Sequence, residues 1–211
     1  MSDTRITLVR HGETQWNVQL RLQGMMNSEL TGNGRKQAEM VAGALRERNF
    51  NAIISSDLGR AVATAEAINK YHNLPLQLEP SDRERYFGVM EGLTREEILE
   101  RYPEVHAGYM ERKDTYQIPQ GESLVDFYKR VTAGLNEIIN QNFGNDILIV
   151  THGGVLDCIM RMVFDYALHA PRRFSIYNGS INVFSIRDNE WFLEQWGNID
   201  HQQTKCISLD E

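Results

Sequence analysis

The chain has 211 residues, 41% of them hydrophobic, and its 22 basic and 29 acidic residues give a net charge of −7. This length and hydrophobic content suit a globular protein with a sizeable core, so we expect a single domain over residues 1–211. The negative charge argues against broad electrostatic attraction to nucleic acid or to an anionic membrane surface, so an anionic ligand needs a local cationic pocket.

In chain order, short apolar runs rich in Ile, Val and Leu alternate with longer segments of helical periodicity. Each run has the composition of a strand buried on both faces, and each longer segment places apolar residues three and four apart. This alternation predicts an α/β three-layer sandwich with a mostly parallel central sheet flanked by helices. The predicted strands span residues 5–10, 51–56, 74–79 and 146–152, and the predicted helices begin near Thr31, Asp57, Ser123 and Gly153.

Two further elements follow from local chemistry. Thr94 and Glu97 have the spacing of a capping box, which predicts a short helix that ends before Pro103. From Asn178 onward the tail alternates apolar and polar residues on either side of Asp188-Asn189. This pattern predicts an antiparallel hairpin.

Charged or titratable residues follow the C-terminal ends of the predicted parallel strands. The first strand ends in Arg10 and His11, the second runs into Arg60, the third leads toward Glu84, and the fourth ends in His152. In open α/β sheets, ligands bind beyond these strand ends. We therefore expect the five side chains to share one site.

The chemistry of this set suits phosphoryl transfer. Two arginines present planar forks of donors to phosphoryl oxygens, and Arg60 lies in the first turn of its helix, where backbone N–H groups also favour an anion. A neutral histidine beside these cations can attack phosphorus. The second histidine can stabilise charge on the equatorial oxygens, and Glu84 can protonate the leaving oxygen.

Five motifs carry a resemblance to a known family. The stretches LVRHGETQWN, SSDLGRAVATAE, RERYFGVMEG, GESL and VTHGG occur in the order and spacing of the histidine phosphatase superfamily. From Ile6 to about His201 the chain resembles the branch of cofactor-dependent phosphoglycerate mutases and their phosphatase relatives. The resemblance implies a phosphoglycerate mutase-like fold with a cap-like insertion at roughly residues 80–122.

The resemblance also implies a role for each site residue. His11 becomes the phosphohistidine, Arg10 and Arg60 clamp the phosphate, His152 completes the pocket, and Glu84 is the proton donor. The implied substrate-binding positions are Asn17, Gln23, Gly24 and Gly153.

One departure from the family pattern affects the proposed acid. Asp82 stands two residues before Glu84, where the family more often has Leu. Glu91 is therefore the reserve candidate for the proton donor.

A metal-dependent site is the weaker interpretation. Glu13 lies two residues after His11 and suggests a metal site with His152, but the chain has no spaced motif of histidine and carboxylate ligands. Cys158 and Cys206 are too few and too scattered for a zinc site or a disulfide framework, so we expect reduced thiols. We expect no metal and no cofactor.

We expect a metal-independent phosphomonoesterase that acts on a small phosphorylated metabolite through a phosphohistidine at His11. The mutases that the chain resembles carry a long insertion with additional basic residues in the cap. Here the corresponding segment, residues 92–120, is short and offers chiefly Arg112 and Lys113 as ligands for a second phosphate. A cofactor-dependent phosphoglycerate mutase stays open as an alternative, as does a phosphate-binding module that regulates a partner without turnover.

The expected location and partners follow from composition. No apolar run reaches the roughly 18 residues needed to cross a bilayer, and the N-terminus lacks the features of a signal peptide, so we expect a cytoplasmic protein. The expected ligand is a small phosphorylated metabolite, with neither nucleic acid nor membrane as a partner. A homodimer through an edge strand stays open.

Overall fold

The computed structural model describes residues 3–202. Within that range six strands form one sheet: β1 (Thr4–Arg10), β2 (Ala52–Ser55), β3 (Leu76–Leu78), β4 (Asp146–Thr151), β5 (Ile181–Arg187) and β6 (Glu190–Asn198). Their order across the sheet is β3-β2-β4-β1-β5-β6. The first four in this order are mutually parallel, and β5 and β6 are antiparallel to their neighbours.

Helices cover both faces of the sheet, which confirms the predicted three-layer α/β architecture. Of the described helices, α2 (Gly32–Leu45) and α3 (Gly59–Asn69) pack on one face, and α6 (Leu124–Gln141) and α7 (Gly153–Phe164) pack on the other. Cys158 is a buried free thiol in α7, whereas Cys206 lies outside the described residues. The other described helices are α1 (Gln15–Val18), α4 (Arg95–Arg101) and α5 (Pro103–Met110).

The central strands supply core residues to both layers. In β1, Ile6 and Leu8 belong to the cluster under α6 and α7, while Val9 belongs to the cluster under α2 and α3. Each of these side chains is fully buried, and such burial stabilises the fold by roughly 1.5–3 kcal/mol per side chain. Because both faces are covered, β1 and β4 are buried along almost their whole length and do not alternate between buried and exposed residues.

The predicted capping box is present at the start of α4. The Thr94 hydroxyl accepts a hydrogen bond from the Glu97 N–H, and the Glu97 carboxylate accepts one from the Thr94 N–H. The helix ends at Arg101, as predicted. A second helix, α5, then begins at Pro103 itself, which was not predicted. Proline is favourable at the first position of a helix, because the N–H that it lacks would have no partner there.

The predicted C-terminal hairpin is also present. Asp188 and Asn189 have φ angles of 50° and 65° between β5 and β6. Two successive residues with positive φ form the type of turn whose twist matches that of the flanking strands. The hairpin extends the parallel sheet on the β1 side.

The segment between β3 and α6 includes residues 80–122, for which the sequence predicts a cap-like insertion. It contains two short 3-10 turns, Pro80–Asp82 and Gly88–Met90, followed by α4 and α5. Met90, Ile98 and Ile118 are buried together as a small apolar cluster of its own. No helix within residues 3–202 has the length and apolar content needed to cross a membrane.

Two glycines fix the loop that follows β1 against α2. A Cβ at Gly12 would overlap the carbonyl oxygen of Gly34, and a Cβ at Gly34 would overlap the carbonyl oxygen of Glu13. The two backbones therefore pack in direct contact, which only glycine allows at both positions. This contact sets where the backbone beyond His11 runs.

Replacement of Gly34 by alanine tests this contact. We expect Gly34→Ala to lower the free energy of unfolding by about 1–3 kcal/mol, since the new methyl group must push one backbone away from the other. Gly43→Ala is the matched control in the same helix, where an added Cβ meets nothing within 4 Å. It should raise stability by about 0.5–1 kcal/mol. Urea unfolding measures both, and equal effects of the two substitutions would contradict the packing argument.

Candidate active site

The parallel pairing of β1 with β4 brings the two histidines together. Arg10 lies opposite Thr151 in the register, so the next residues, His11 and His152, leave the sheet side by side. The His11 N–H donates to the Thr151 carbonyl at 3.0 Å. The two imidazole ring centroids are 5.2 Å apart.

His11 is held with one ring nitrogen available as a nucleophile. Its Nδ1 lies 2.8 Å from the Gly12 carbonyl oxygen, which can only accept, so Nδ1 carries the hydrogen and Nε2 keeps its lone pair. Burial and the neighbouring Arg60 and Arg10 hold the pKa of His11 well below its ordinary value of 6.5. Burial is the largest of these causes. His11 is therefore neutral at neutral pH.

His152 is fully buried and precedes the first turn of α7. Its Nε2 lies 2.8 Å from the hydroxyl oxygen of Ser56. Burial lowers its pKa well below 6.5, and the charges of Arg60 and Arg10 lower it further. The second ring is therefore also uncharged before a ligand binds.

Arg60 lies in the first turn of α3, as predicted, and is 1% exposed. Its Nη1 donates to the Met26 carbonyl and its Nη2 to the Gly24 carbonyl, both at 2.7 Å. Burial lowers its pKa to about 10, which leaves it charged at neutral pH. Gly24, predicted as a substrate-binding position, thus contacts Arg60 through its backbone.

Arg10 and Gly153 lie against each other. The Arg10 Nη1 donates to the Ile176 carbonyl, and a Cβ at Gly153 would lie 3.5 Å from Arg10 Nε. That distance is an ordinary van der Waals contact, so the N-terminus of α7 lies directly beside the guanidinium. A helix N-terminus and a guanidinium both favour an anion, so the two act in the same direction.

Glu84 is tied to the same helix. One carboxylate oxygen accepts from the Arg85 N–H at 2.8 Å, and the other accepts from the Gly154 N–H at 3.0 Å. Gly154 is two residues beyond His152. The structure therefore places the predicted acid beside the N-terminus of α7, the helix that follows His152.

Glu91, the reserve candidate, has a different set of partners. It accepts from the backbone N–H groups of Met25 and Phe87 at 2.8 and 3.0 Å. Burial raises its pKa. Glu91 thus links the loop after Gly24 to the segment that follows Glu84. These hydrogen bonds hold the two segments in position relative to each other.

Asn17 and Gln23 belong to a polar network beside His11. The Asn17 side-chain oxygen accepts from the Thr14 N–H at 3.0 Å and from Asn178 Nδ2 at 3.3 Å. The same Asn178 nitrogen donates to the His11 carbonyl at 3.0 Å, and Gln23 accepts from the Thr14 hydroxyl at 2.9 Å. Asn17 is thus linked to the His11 backbone, and the Gln23 side chain is engaged within the protein.

Two residues that contact the histidines, Ser56 and Asn178, were not predicted from the sequence. Ser56 follows β2 as His152 follows β4, so the strand-end rule that selected His152 could also have selected Ser56. Asn178 lies before the antiparallel β5, and no local motif marks it. Its place beside His11 depends on the pairing of β5 with β1.

No metal-binding cluster is formed in the described part of the chain. Residues 3–202 hold no group of three His, Cys, Asp or Glu side chains placed to bind one ion. Glu13, considered with His11 and His152 for such a site, instead accepts a hydrogen bond from the Thr31 hydroxyl at 2.6 Å.

Asp82 has a buried carboxyl group and lies next to Thr151, the last residue of β4. It is 1% exposed, one of its carboxylate oxygens is buried without a hydrogen-bond partner, and its carbonyl accepts from the Thr151 hydroxyl at 3.1 Å. Burial, with a smaller contribution from Glu79, raises the pKa of Asp82 from 3.8 to about 7. A carboxyl thus occupies a fully buried position at which the resembled family more often has Leu.

Comparison with known proteins gives matches over nearly the whole chain. The family model described as "Histidine phosphatase superfamily (branch 1)" matches residues 6–199. Phosphoglycerate mutase-like protein 4 of Arabidopsis thaliana is 37% identical over 201 residues, covering 93% of this chain and 86% of that protein. The metal-independent phosphoserine phosphatase of Arabidopsis thaliana is 36% identical over 201 residues, covering 94% and 83%.

A solved structure, YhfR of Bacillus stearothermophilus, superimposes with a TM-score of 0.87 at 30% identity and covers 94% of this chain and 98% of that one. The similarity thus extends over nearly the whole length of both chains.

The buried carboxyl of Asp82 predicts a pH-dependent stability. Its pKa is higher in the folded than in the unfolded chain, so its contribution is complete below about pH 4 and is lost as the pH rises toward about 7. The loss is at most about 1.4 kcal/mol per pH unit. Asp82→Asn removes this titration, so we expect it to stabilise the protein relative to wild type more at about pH 8 than at about pH 3.5, because these two values bracket the window.

Urea unfolding of wild type and variant at both pH values measures the effect. Glu79→Gln is the matched control, because it removes the charge that helps to raise the pKa of Asp82 and should weaken the wild-type dependence. A stability difference between Asp82→Asn and wild type that does not change with pH would show that Asp82 titrates normally.

Proposed function

We propose that this chain, which belongs to the histidine phosphatase superfamily, is a metal-independent phosphomonoesterase that hydrolyses a small phosphorylated metabolite through a phosphohistidine at His11. The observation that carries the proposal is the pair of buried, neutral histidine rings 5.2 Å apart, with Arg10 and Arg60 close enough to lower the pKa of both. One ring offers a lone pair and the cations attract a phosphate, which is the arrangement that phosphoryl transfer requires.

In the first step, Nε2 of His11 attacks the phosphorus atom of the ester. A bond forms between Nε2 and phosphorus while the bond from phosphorus to the ester oxygen breaks. Glu84 gives its proton to that oxygen, which leaves as an alcohol. The Nδ1–H bond to Gly12 stabilises the positive charge that the imidazole gains.

Positive groups of the protein stabilise the transferring phosphoryl group. Arg10 and Arg60 supply planar donor forks. His152 supplies a ring N–H as a further hydrogen-bond donor to the phosphoryl oxygens. Because the Arg60 guanidinium is already buried in the protein, little further water must be removed from it when a phosphate binds. The two arginines provide the positive charge that metal ions give in other phosphoryl-transfer enzymes.

In the second step, water hydrolyses the phosphohistidine. The Glu84 carboxylate takes a proton from the attacking water, the oxygen bonds to phosphorus, and the bond from phosphorus to Nε2 breaks. Inorganic phosphate leaves, and His11 and Glu84 return to their starting protonation states. The bonds from Arg85 and Gly154 to Glu84 hold the carboxylate in place for both transfers.

The hydrogen-bond and ion-pair partners of Arg112 and Lys113 favour a hydrolase over a mutase. A mutase must hold a second phosphate, and the sequence offers chiefly Arg112 and Lys113 for it. Arg112 donates instead to the carbonyls of His169 and Ala170, and Lys113 pairs with Glu111. A relative named as a metal-independent phosphoserine phosphatase supports a small phosphorylated substrate, and the relative named as mutase-like keeps the mutase as the second candidate. A regulator without turnover is less well supported, because every proposed catalytic position holds a chemically competent residue.

We expect wild-type protein treated with a chelator to hydrolyse an aryl phosphate and at least one phosphorylated metabolite, at about 1 per second or faster. His11→Ala should lower kcat by about a thousandfold or more, because no other group can form the covalent intermediate. Phosphate release measures the rates, and circular dichroism checks that the variant is folded. Rapid trapping with radiolabelled substrate should give an acid-labile label in wild type and none in the variant.

Three outcomes would refute the proposal. Activity that is lost in chelator and restored by one divalent ion would indicate a metal enzyme. Rapid exchange of 2- and 3-phosphoglycerate that depends on the bisphosphate, with negligible phosphate release from any ester, would indicate a mutase. Near-normal turnover by His11→Ala would exclude the covalent mechanism.

The two glutamates can be separated by the leaving group of the substrate. Glu84→Gln should lower kcat for an alkyl phosphate by about 100-fold and for a nitrophenyl phosphate by less than about 10-fold, since a nitrophenolate leaves without a proton. Glu91→Gln is the control: its amide oxygen can still accept from Met25 and Phe87, so it should affect both esters equally. A strong leaving-group dependence in Glu91→Gln would move the acid role to that residue.

A further inference from the structure

Ser56 is fully buried next to His152. Its hydroxyl oxygen lies 2.8 Å from His152 Nε2 and accepts a longer hydrogen bond, of 3.3 Å, from the Leu58 N–H. Ser55 lies opposite Val150 in the parallel register of β2 and β4. The sheet itself therefore brings the residue after β2 to the side chain that follows β4.

The direction of the hydrogen bond between Ser56 and His152 follows from the available partners. The Ser56 hydroxyl has one hydrogen, and the acceptor that it meets among the described residues is His152 Nε2. If Nε2 carried its own hydrogen, the hydroxyl hydrogen would be buried without an acceptor, which is unfavourable. The hydroxyl therefore donates, and Nε2 accepts.

We infer that Ser56 is a positioning residue, which holds His152 in the tautomer with hydrogen on Nδ1 and so presents an N–H to the phosphoryl group. Nδ1 of His152 is buried and has no hydrogen-bond partner within residues 3–202. The inference rests on the proposed function, because a phosphoryl oxygen is the acceptor that this N–H would meet. The ring is neutral, so only one of its nitrogens carries hydrogen.

The two histidines are thereby held in opposite tautomers. The carbonyl of Gly12 fixes hydrogen on Nδ1 of His11 and leaves Nε2 as the free lone pair. Ser56 occupies Nε2 of His152 and leaves Nδ1–H as the free donor. One ring can then attack phosphorus while the other stabilises charge on its oxygens. Two free lone pairs would repel a phosphate, and two free donors would leave no nucleophile.

Nitrogen NMR of the resting protein labelled with 15N-histidine tests the tautomer directly. In wild type, the His152 signals should show a protonated Nδ1 and an unprotonated Nε2, assigned by their loss in His152→Gln. A protonated Nε2 in wild type would overturn the inference. This measurement needs neither substrate nor turnover.

Three substitutions test the role in catalysis. Ser56→Ala should mix the two tautomers and lower kcat by about 10-fold or more, since part of the population then points a lone pair at the phosphate. Ser56→Thr keeps a hydroxyl and should restore both the spectrum and kcat. Ser55→Ala is the matched control: the neighbouring buried hydroxyl donates to the Ser56 carbonyl and not to His152, so it should change neither readout.

Wild-type kcat and an unchanged tautomer in Ser56→Ala would overturn the inference. If Ser56→Ala does not fold, the tautomer seen in the wild-type spectrum and the spectrum and kcat of Ser56→Thr test the inference instead. Failure of the proposed function is distinguishable: a protein with the expected tautomer but no esterase activity contradicts the function alone. An active esterase with hydrogen on Nε2 of His152 contradicts the role of Ser56 alone.

Discussion

The parallel pairing of β1 with β4 is the constraint on which the site depends. With Arg10 opposite Thr151, the next residue of each strand is a histidine, and the two rings meet at 5.2 Å. A shift of one residue in this register would separate the rings and turn the core side chains of β1 to the wrong face. The core and the site therefore fix the same register, and apolar packing of the strands stabilises the geometry of the histidine pair.

Burial gives these residues their chemical properties. It is the largest cause of the lowered pKa values of His11, His152 and Arg60. A neutral histidine keeps its lone pair beside a cation, while an arginine with a pKa of about 10 still keeps its charge. The same burial makes unpaired polar atoms unfavourable. The hydrogen bonds of Arg60 to two loop carbonyls, and of Glu84 to two N–H groups, are thus part of what holds the site together.

Much of the candidate site could be predicted from the ends of two strands and the start of one helix. Arg10, His11 and His152 follow directly from two apolar runs, and Arg60 from the first turn of a helix. The choice between Glu84 and Glu91 was harder, because both lie in an irregular segment. The structure favours Glu84 through its bond to Gly154, which depends on where α7 begins. Asn178 could not be predicted, since its contact with the His11 backbone is made across an antiparallel strand pair and no short-range pattern encodes it.

The sequence by itself determined the α/β class, the order of its elements, the hairpin at Asp188-Asn189 and the capping box at Thr94, because each depends on residues a few positions apart. Tertiary structure alone decided which hydrogen-bond partners the strand ends acquire. Ser56 reaches His152 only because β2 and β4 are neighbours in the sheet, and Asp82 is buried only because the segment after β3 packs behind Thr151. Strand order and burial arise from contacts between residues far apart in the chain, so periodicity and spacing do not specify them.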